Sequence, residues 1–166
     1  MILYTAGHST ASLEDFVALM KEHAIDVVVD VRSKPRSRLA HFDQIPLQAA
    51  IEEADIGYRF LGDRLGGMPQ DPEVRARWQQ GRLDPVIVAH LRGTDEWHDG
   101  IAELTRLIIG GGGRAVCIVC SEGDANECHR KAVALDAAEA TEGLKIRHLA
   151  VNRAAPLEVG VQEVLF

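Results

Sequence analysis

Short apolar runs alternate along the chain with segments in which apolar residues recur every three or four positions. The runs predict strands at residues 2–6, 25–31, 57–61, 114–120 and 145–151. The helical spacing predicts helices at residues 12–23, 46–55, 73–81, 84–109 and 128–142, with a break at Gly93. Residues 62–72 hold two prolines and no periodicity, so we expect a long loop there.

Strands that alternate with helices predict an α/β fold built on a parallel sheet. We expect a single-domain three-layer sandwich over residues 1–151, with a mostly parallel five-stranded sheet in the Rossmann-like order 3-2-1-4-5. Residues 152–166 are expected to form a C-terminal tail that packs on the domain or on a partner, for instance in a homodimer.

Composition narrows the class of protein. The net charge of −7 argues against non-specific electrostatic binding of nucleic acid, although the loop at residues 32–42 is basic. No apolar run is long enough to span a membrane, and the first ten residues lack a signal-peptide pattern, so a cytoplasmic location is expected. The three cysteines are an odd number, which argues against a disulfide framework.

Chemically active side chains follow three of the predicted strands and open the last predicted helix. Because the carboxyl ends of parallel strands meet at one edge of a sheet, we expect these side chains to share a crevice at the switch point of the sheet. The candidate residues are His8, Ser9, Arg32, Ser33, Arg36, Cys120, Glu122, Cys128, His129 and Arg130.

A thiol near a helix N-terminus and arginines is favoured as thiolate, the nucleophilic form of cysteine. Either Cys120 or Cys128 is therefore a candidate nucleophile, with His8, Glu122 or His129 as the acid or base. The alternative for each cysteine is a small packing residue in the core. Cys120, Cys128 and His129, with His8 as a further candidate, are soft ligands of the zinc type, which leaves a zinc site as an alternative. Their spacing does not match a paired Cys-x-x-Cys site, so we predict no metal ligands, and no cofactor is predicted.

The remaining candidate residues are of types that bind anions. Arginine offers two parallel donors to phosphate or carboxylate, and a helix N-terminus offers free N–H groups. We expect Arg32, Arg36 and Arg130 to bind the anion, together with Ser9 and Ser33. The basic loop could instead be a solvated surface loop, and Glu122 could form an ion pair with one of the arginines.

Several of these residues form motifs that occur in a fixed order. They are Gly7-His8-Ser9, Asp30-Val31-Arg32-Ser33 with Pro35 and Ser37, Leu65-Gly66-Gly67, Cys120-Ser121-Glu122 and Cys128-His129-Arg130. In this order they resemble the domain of unknown function 488 family. The resemblance implies a compact α/β domain of prokaryotic origin and carries no catalytic assignment.

A weaker resemblance is to rhodanese-type sulfurtransferases, which have a strand ending in Asp-x-Arg and a later cysteine at a strand end. Residues 29–32 and 119–120 look similar. The segment after Cys120 departs from that pattern because Glu122, Asp124 and Glu127 would oppose an anionic persulfide.

We therefore favour an enzyme that acts on a phosphate- or carboxylate-bearing small substrate, such as a nucleotide, at a Cys/His/Arg pocket. A second hypothesis is a non-catalytic module that binds a nucleotide or a nucleic-acid end through the basic loop. A third is a rhodanese-like sulfurtransferase, and a fourth is a structural protein whose cysteines belong to the core.

Overall fold

The computed structural model describes residues 1–79 and 82–151. The predicted C-terminal tail, residues 152–166, lies outside the described residues. The strands are β1 (Ile2–Gly7), β2 (Val27–Asp30), β3 (Gly57–Phe60), β4 (Val116–Cys120) and β5 (Lys145–Leu149). The helices are α1 (Leu13–Glu22), α2 (Gln44–Glu53), α3 (Gly62–Leu65), α4 (Pro72–Arg75), α5 (Pro85–Arg92), α6 (Asp95–Gly110) and α7 (Arg130–Glu139).

The five strands form one parallel sheet, which confirms the predicted α/β fold. Its order is β3-β2-β4-β1-β5, so the predicted order 3-2-1-4-5 is wrong. The connection from β1 to β2 passes over one strand position, and β4 fills that position. Right-handed crossovers are compatible with either order, so the rules of connectivity did not decide between them. All five residues of β4 are buried, as a strand covered on both faces requires.

Helices cover both faces of the sheet, which gives three layers. On one face α1 and α2 place Phe16, Met20 and Leu47 against Val28 and Val119 of the sheet. The other face is covered by α3, α5, α6 and α7, whose side chains form a separate apolar cluster around Leu3, Val29 and Ile118. In the described part of the chain no helix has the length and apolarity needed to cross a bilayer.

Local sequence signals account for several helix ends. The Ser12 hydroxyl accepts a hydrogen bond from the Asp15 N–H at 3.0 Å and so caps the N-terminus of α1. Thr94 caps α6 in the same way, and the predicted break at Gly93 separates α5 from α6.

Three predicted elements differ from the structure. Residues 62–72 are not all loop, because Leu65 is fully buried against α6 and α3 forms around it. The helix predicted at residues 73–81 is reduced to α4. The last helix begins at Arg130 and not at Cys128, because a 3-10 turn at Ala125–Glu127 precedes it.

Candidate functional site

The carboxyl ends of β1, β2 and β4 lie side by side, as predicted, but β4 and not β1 is the middle strand. Gly7 of β1 is paired with Cys120 of β4, and Asp30 of β2 is paired with Val119. The residue that follows β1, His8, donates its backbone N–H to the Cys120 carbonyl at 3.1 Å. The central strand therefore delivers Cys120 between the two neighbouring strand ends.

Four candidate side chains meet beyond the end of β4. The Glu122 Oε2 atom lies 3.2 Å from the Cys120 sulfur and 3.3 Å from the Cys128 sulfur. Each sulfur lies 3.9 Å from His129 Nδ1. We call these four residues the sulfur cluster. It forms because the 3-10 turn at Ala125–Glu127 returns the chain to the strand end, and both cysteines are buried.

The orientation of His129 is determined by a backbone carbonyl. Its Nε2 atom lies 2.9 Å from the Val31 oxygen. A carbonyl oxygen only accepts, so Nε2 carries the hydrogen and the Nδ1 lone pair of the neutral ring faces the two sulfurs. Gly67 packs on this ring, and a Cβ at that position would lie 2.6 Å from ring atoms. Only glycine allows so close an approach.

Protonation within the sulfur cluster is shared, because three acidic groups lie in contact. A hydrogen bond from Cys120 lowers the pKa of Cys128, and His129 and Arg130 lower it further against the opposing effect of burial. The same hydrogen bond and burial raise the pKa of Cys120. Burial and the Cys128 charge raise the pKa of Glu122. Burial acts to lower the pKa of His129, but contact with Cys128 outweighs it and the pKa is raised. These directions favour a thiolate on Cys128.

Arg32 is buried, and its guanidinium binds groups of the protein itself. Its guanidinium donates to the Asp30 carboxylate at 2.6 Å and to the Phe42 carbonyl at 2.6 Å. Tyr58 donates to the same carboxylate at 2.7 Å, and burial, followed by the Asp30 charge, raises the pKa of this tyrosine. The guanidinium thus connects the end of β2 to the basic loop, and its predicted contact with an anion stays a prediction.

Arg130 has a similar structural role. It is fully buried and donates to the Glu122 carbonyl and, at 2.8 Å, to the Gly123 carbonyl. The loop after β4 lies so close to β1 that a Cβ on Gly7 would overlap the Glu122 carbonyl. Arg130 therefore holds this loop against the strand end and positions the Glu122 side chain.

The sulfur cluster lies in the wall of a cavity of about 220 Å³. Three cationic side chains that are exposed to solvent line the same cavity: Lys34, Arg36 and Arg82. Ser33 also lines it, and its hydroxyl accepts a hydrogen bond from the Met68 N–H at 2.9 Å. Asp84, Glu122 and Glu127 line the cavity as well, so cations and carboxylates share its wall next to two thiols.

His8 and Ser9 line a different cavity of about 780 Å³, which shares Arg36 and Glu122 with the first. His8 is 2% exposed and stacks on Phe42, with ring centroids 4.1 Å apart. Burial and the nearby Arg32 charge lower the pKa of His8 to about 4. The imidazole is therefore neutral near pH 7, which favours a packing role over the predicted role as a proton donor.

Several residues of the site carried no recognisable signal in the sequence. Tyr58 reaches Asp30 only because of the register between β2 and β3. Arg82 belongs to none of the motifs and approaches the cavity from the chain between α4 and α5. Lys34 was visible as part of the basic loop, but nothing distinguished it from its neighbours there.

A family model described as "Domain of unknown function DUF488" matches residues 12–135, which is more than half of the chain. The matched stretch contains the complete sulfur cluster and both buried arginines. No curated protein and no solved structure gives a significant match.

Proposed function

The chain belongs to the DUF488 family, and we propose that it is a thiol-dependent enzyme acting on a small substrate that carries a phosphate or carboxylate group. The family description names no activity, so the proposal depends on the site. The observation that carries it is the contact of both cysteine sulfurs with an imidazole nitrogen whose orientation is set by a third group.

Nucleophilic catalysis needs a nucleophile in reach of a base, and a base held in one orientation. His129 Nδ1 lies 3.9 Å from each sulfur, and the Val31 carbonyl holds the opposite ring nitrogen at 2.9 Å. We assign the nucleophile to Cys128, because it directly precedes His129 and the first turn of α7. Cys120 then acts as the hydrogen-bond donor to the Cys128 thiolate, and Glu122, whose pKa is raised by burial and by the Cys128 charge, lies 3.3 Å from that sulfur.

The exposed cations supply the affinity for an anionic group. Lys34, Arg36 and Arg82 line the cavity that the sulfur cluster also lines. A phosphate or carboxylate bound there would place its substrate next to Cys128. The sulfur would then bond to an electrophilic carbon or phosphorus, and the leaving group would take the proton held by His129. We keep the expectation of a prokaryotic cytoplasm, whose reducing conditions would preserve these free thiols.

Alkylation of the native protein tests the proposal. With limiting iodoacetamide, mass spectrometry should find Cys128 modified at least tenfold faster than Cys117, as expected for a stabilised thiolate. Cys117 is the internal reference because it is fully buried in mid-strand, and burial raises its pKa. Inorganic phosphate should slow the reaction at Cys128.

Turnover should be sought with a panel of phosphate and carboxylate esters. Cys128→Ser should abolish any activity found, while Cys117→Ser should retain it. Equal alkylation of all three cysteines, with no effect of phosphate, would contradict the proposal. Binding of phosphate compounds that survives changes at both Cys120 and Cys128 would favour a non-catalytic binding module.

A further inference from the structure

We infer that the sulfur cluster is also a binding site for a divalent cation of the zinc type, with Cys120, Cys128 and His129 as ligands and the Glu122 carboxylate beside the two sulfurs. The ligand atoms of the two cysteines and the histidine all lie within 4.8 Å of one another. Thiolate, imidazole and carboxylate are the groups that zinc takes in proteins.

The sulfur–nitrogen and sulfur–oxygen distances lie near the edges of a zinc tetrahedron. Usual Zn–S and Zn–N or Zn–O bond lengths give edges of about 3.8 Å between sulfurs and about 3.5 Å between sulfur and nitrogen or oxygen. The observed distances are 3.9 Å from each sulfur to His129 Nδ1. They are 3.2 and 3.3 Å from the sulfurs to Glu122 Oε2. Each of these four distances differs from its ideal edge by a few tenths of an ångström.

The histidine has the orientation and, as a neutral ring, the tautomer that a metal requires. Metal-bound histidines commonly donate their second ring N–H to a carbonyl or carboxylate, which fixes the tautomer. The His129 Nε2–H donates to the Val31 carbonyl, so the Nδ1 lone pair faces the sulfurs. Gly67 confines the ring from one side. The lone pair thus needs no rearrangement of the ring to reach a cation.

A metal can reach the cluster from solvent, because all four side chains line the cavity of about 220 Å³. The chain spacing of the cysteines argued against a metal site. Cys120 and Cys128 are eight positions apart, and only the turn at Ala125–Glu127 brings them together.

Binding would have a consequence for the proposed enzyme, and this step alone depends on the proposed function. Zinc would displace the remaining protons of the two thiols and occupy the lone pairs of Cys128 and His129. The nucleophile would then be blocked, so zinc would inhibit thiol chemistry and a chelator would restore it. The cluster would in this way make the activity sensitive to free zinc.

Cobalt(II) is the probe for the binding itself, because tetrahedral thiolate coordination gives strong visible d–d bands and a thiolate-to-cobalt charge-transfer band. The full chain, reduced and freed of metal with a chelator, should bind one Co²⁺ with both signals. One equivalent of Zn²⁺ should abolish them. Cys120→Ser and Cys128→Ser should each weaken binding at least tenfold, and Cys117→Ser should bind like the unchanged protein.

Circular dichroism identifies any variant that has not folded, and His129→Gln provides a further ligand change should a cysteine variant fail. A full chain without tetrahedral cobalt bands would overturn the inference. So would Co²⁺ binding of equal strength in the folded Cys120→Ser and Cys128→Ser variants. These measurements contain no substrate, so a failed search for thiol-dependent turnover would leave their result intact.

Discussion

Replacing His8 with glutamine should make folding stability less sensitive to mild acid. In the folded protein the imidazole is 2% exposed and stacked on Phe42, and burial and Arg32 lower its pKa from 6.5 to about 4. Asp30 acts in the opposite direction, and His41 adds a small lowering effect. His8 is therefore protonated near pH 6.5 in the unfolded chain but only near pH 4 in the folded chain.

The size of the effect follows from linkage between protonation and folding. As pH falls below 6.5, protonation of His8 lowers the free energy of the unfolded state but not that of the folded state. The free energy of unfolding therefore decreases progressively until about pH 4. Between pH 7 and pH 5 this amounts to about 2 kcal/mol for a shift from 6.5 to 4. In His8→Gln that contribution disappears, although lost stacking lowers stability by a constant amount at every pH.

Urea unfolding at pH 7 and pH 5, with a chelator present, measures the difference. The unchanged protein should lose about 2 kcal/mol more over this interval than His8→Gln does. His148, whose pKa burial also lowers, is present in both proteins and cancels. The exposed His98→Gln is the control and should follow the unchanged protein. Equal losses in the unchanged protein and in His8→Gln would refute the reasoning.

Three further substitutions test how the site is supported. Gly67→Ala should displace the His129 ring and slow alkylation at the sulfur cluster about tenfold or more. The control is Gly110→Ala, which has open space around its Cβ and should not change the rate. Equal alkylation rates in the two variants would contradict this prediction. Arg130→Met leaves two loop carbonyls without their donor and should lower the free energy of unfolding in urea by about 3 kcal/mol. A decrease of less than about 1 kcal/mol would contradict the structural role of Arg130. Tyr58→Phe removes a hydrogen-bond donor to the buried Asp30 carboxylate and should lower the free energy of unfolding by about 1–2 kcal/mol in the same assay. An unchanged free energy of unfolding would show that this hydrogen bond is dispensable.

The periodicity of the sequence predicted all five strands and the helices that carry strong apolar patterns, because those signals are local. It could not predict the order of the sheet, since the position of β4 depends on packing between distant segments. The short helix α3 was missed for a related reason. A helix of four residues is too short to be stable alone, and burial of Leu65 against α6 stabilises it.

The site was predictable in its location and less so in its chemistry. The carboxyl ends of β1, β2 and β4 lie at one edge of the sheet in either order, so the location of the site did not depend on the order. The direct pairing of β4 with β2, which places Cys120 beside the end of β2, did depend on it. The partner of each side chain, however, depends on distances that a sequence does not contain. Arg32 lies two residues after Asp30, and the sequence did not reveal that these two residues pair with each other.

The two buried arginines explain how a loop-borne site keeps its geometry. Arg32 ties the end of β2 to the basic loop through Phe42, and Arg130 ties the loop after β4 to the start of α7. Each charge is directed at protein groups, so in the proposed function an anion would be attracted by the exposed cations of the cavity wall. Exposed charges are screened by salt and buried hydrogen bonds are screened much less. Capture of an anion should therefore weaken as salt rises, while the arrangement of the sulfur cluster persists.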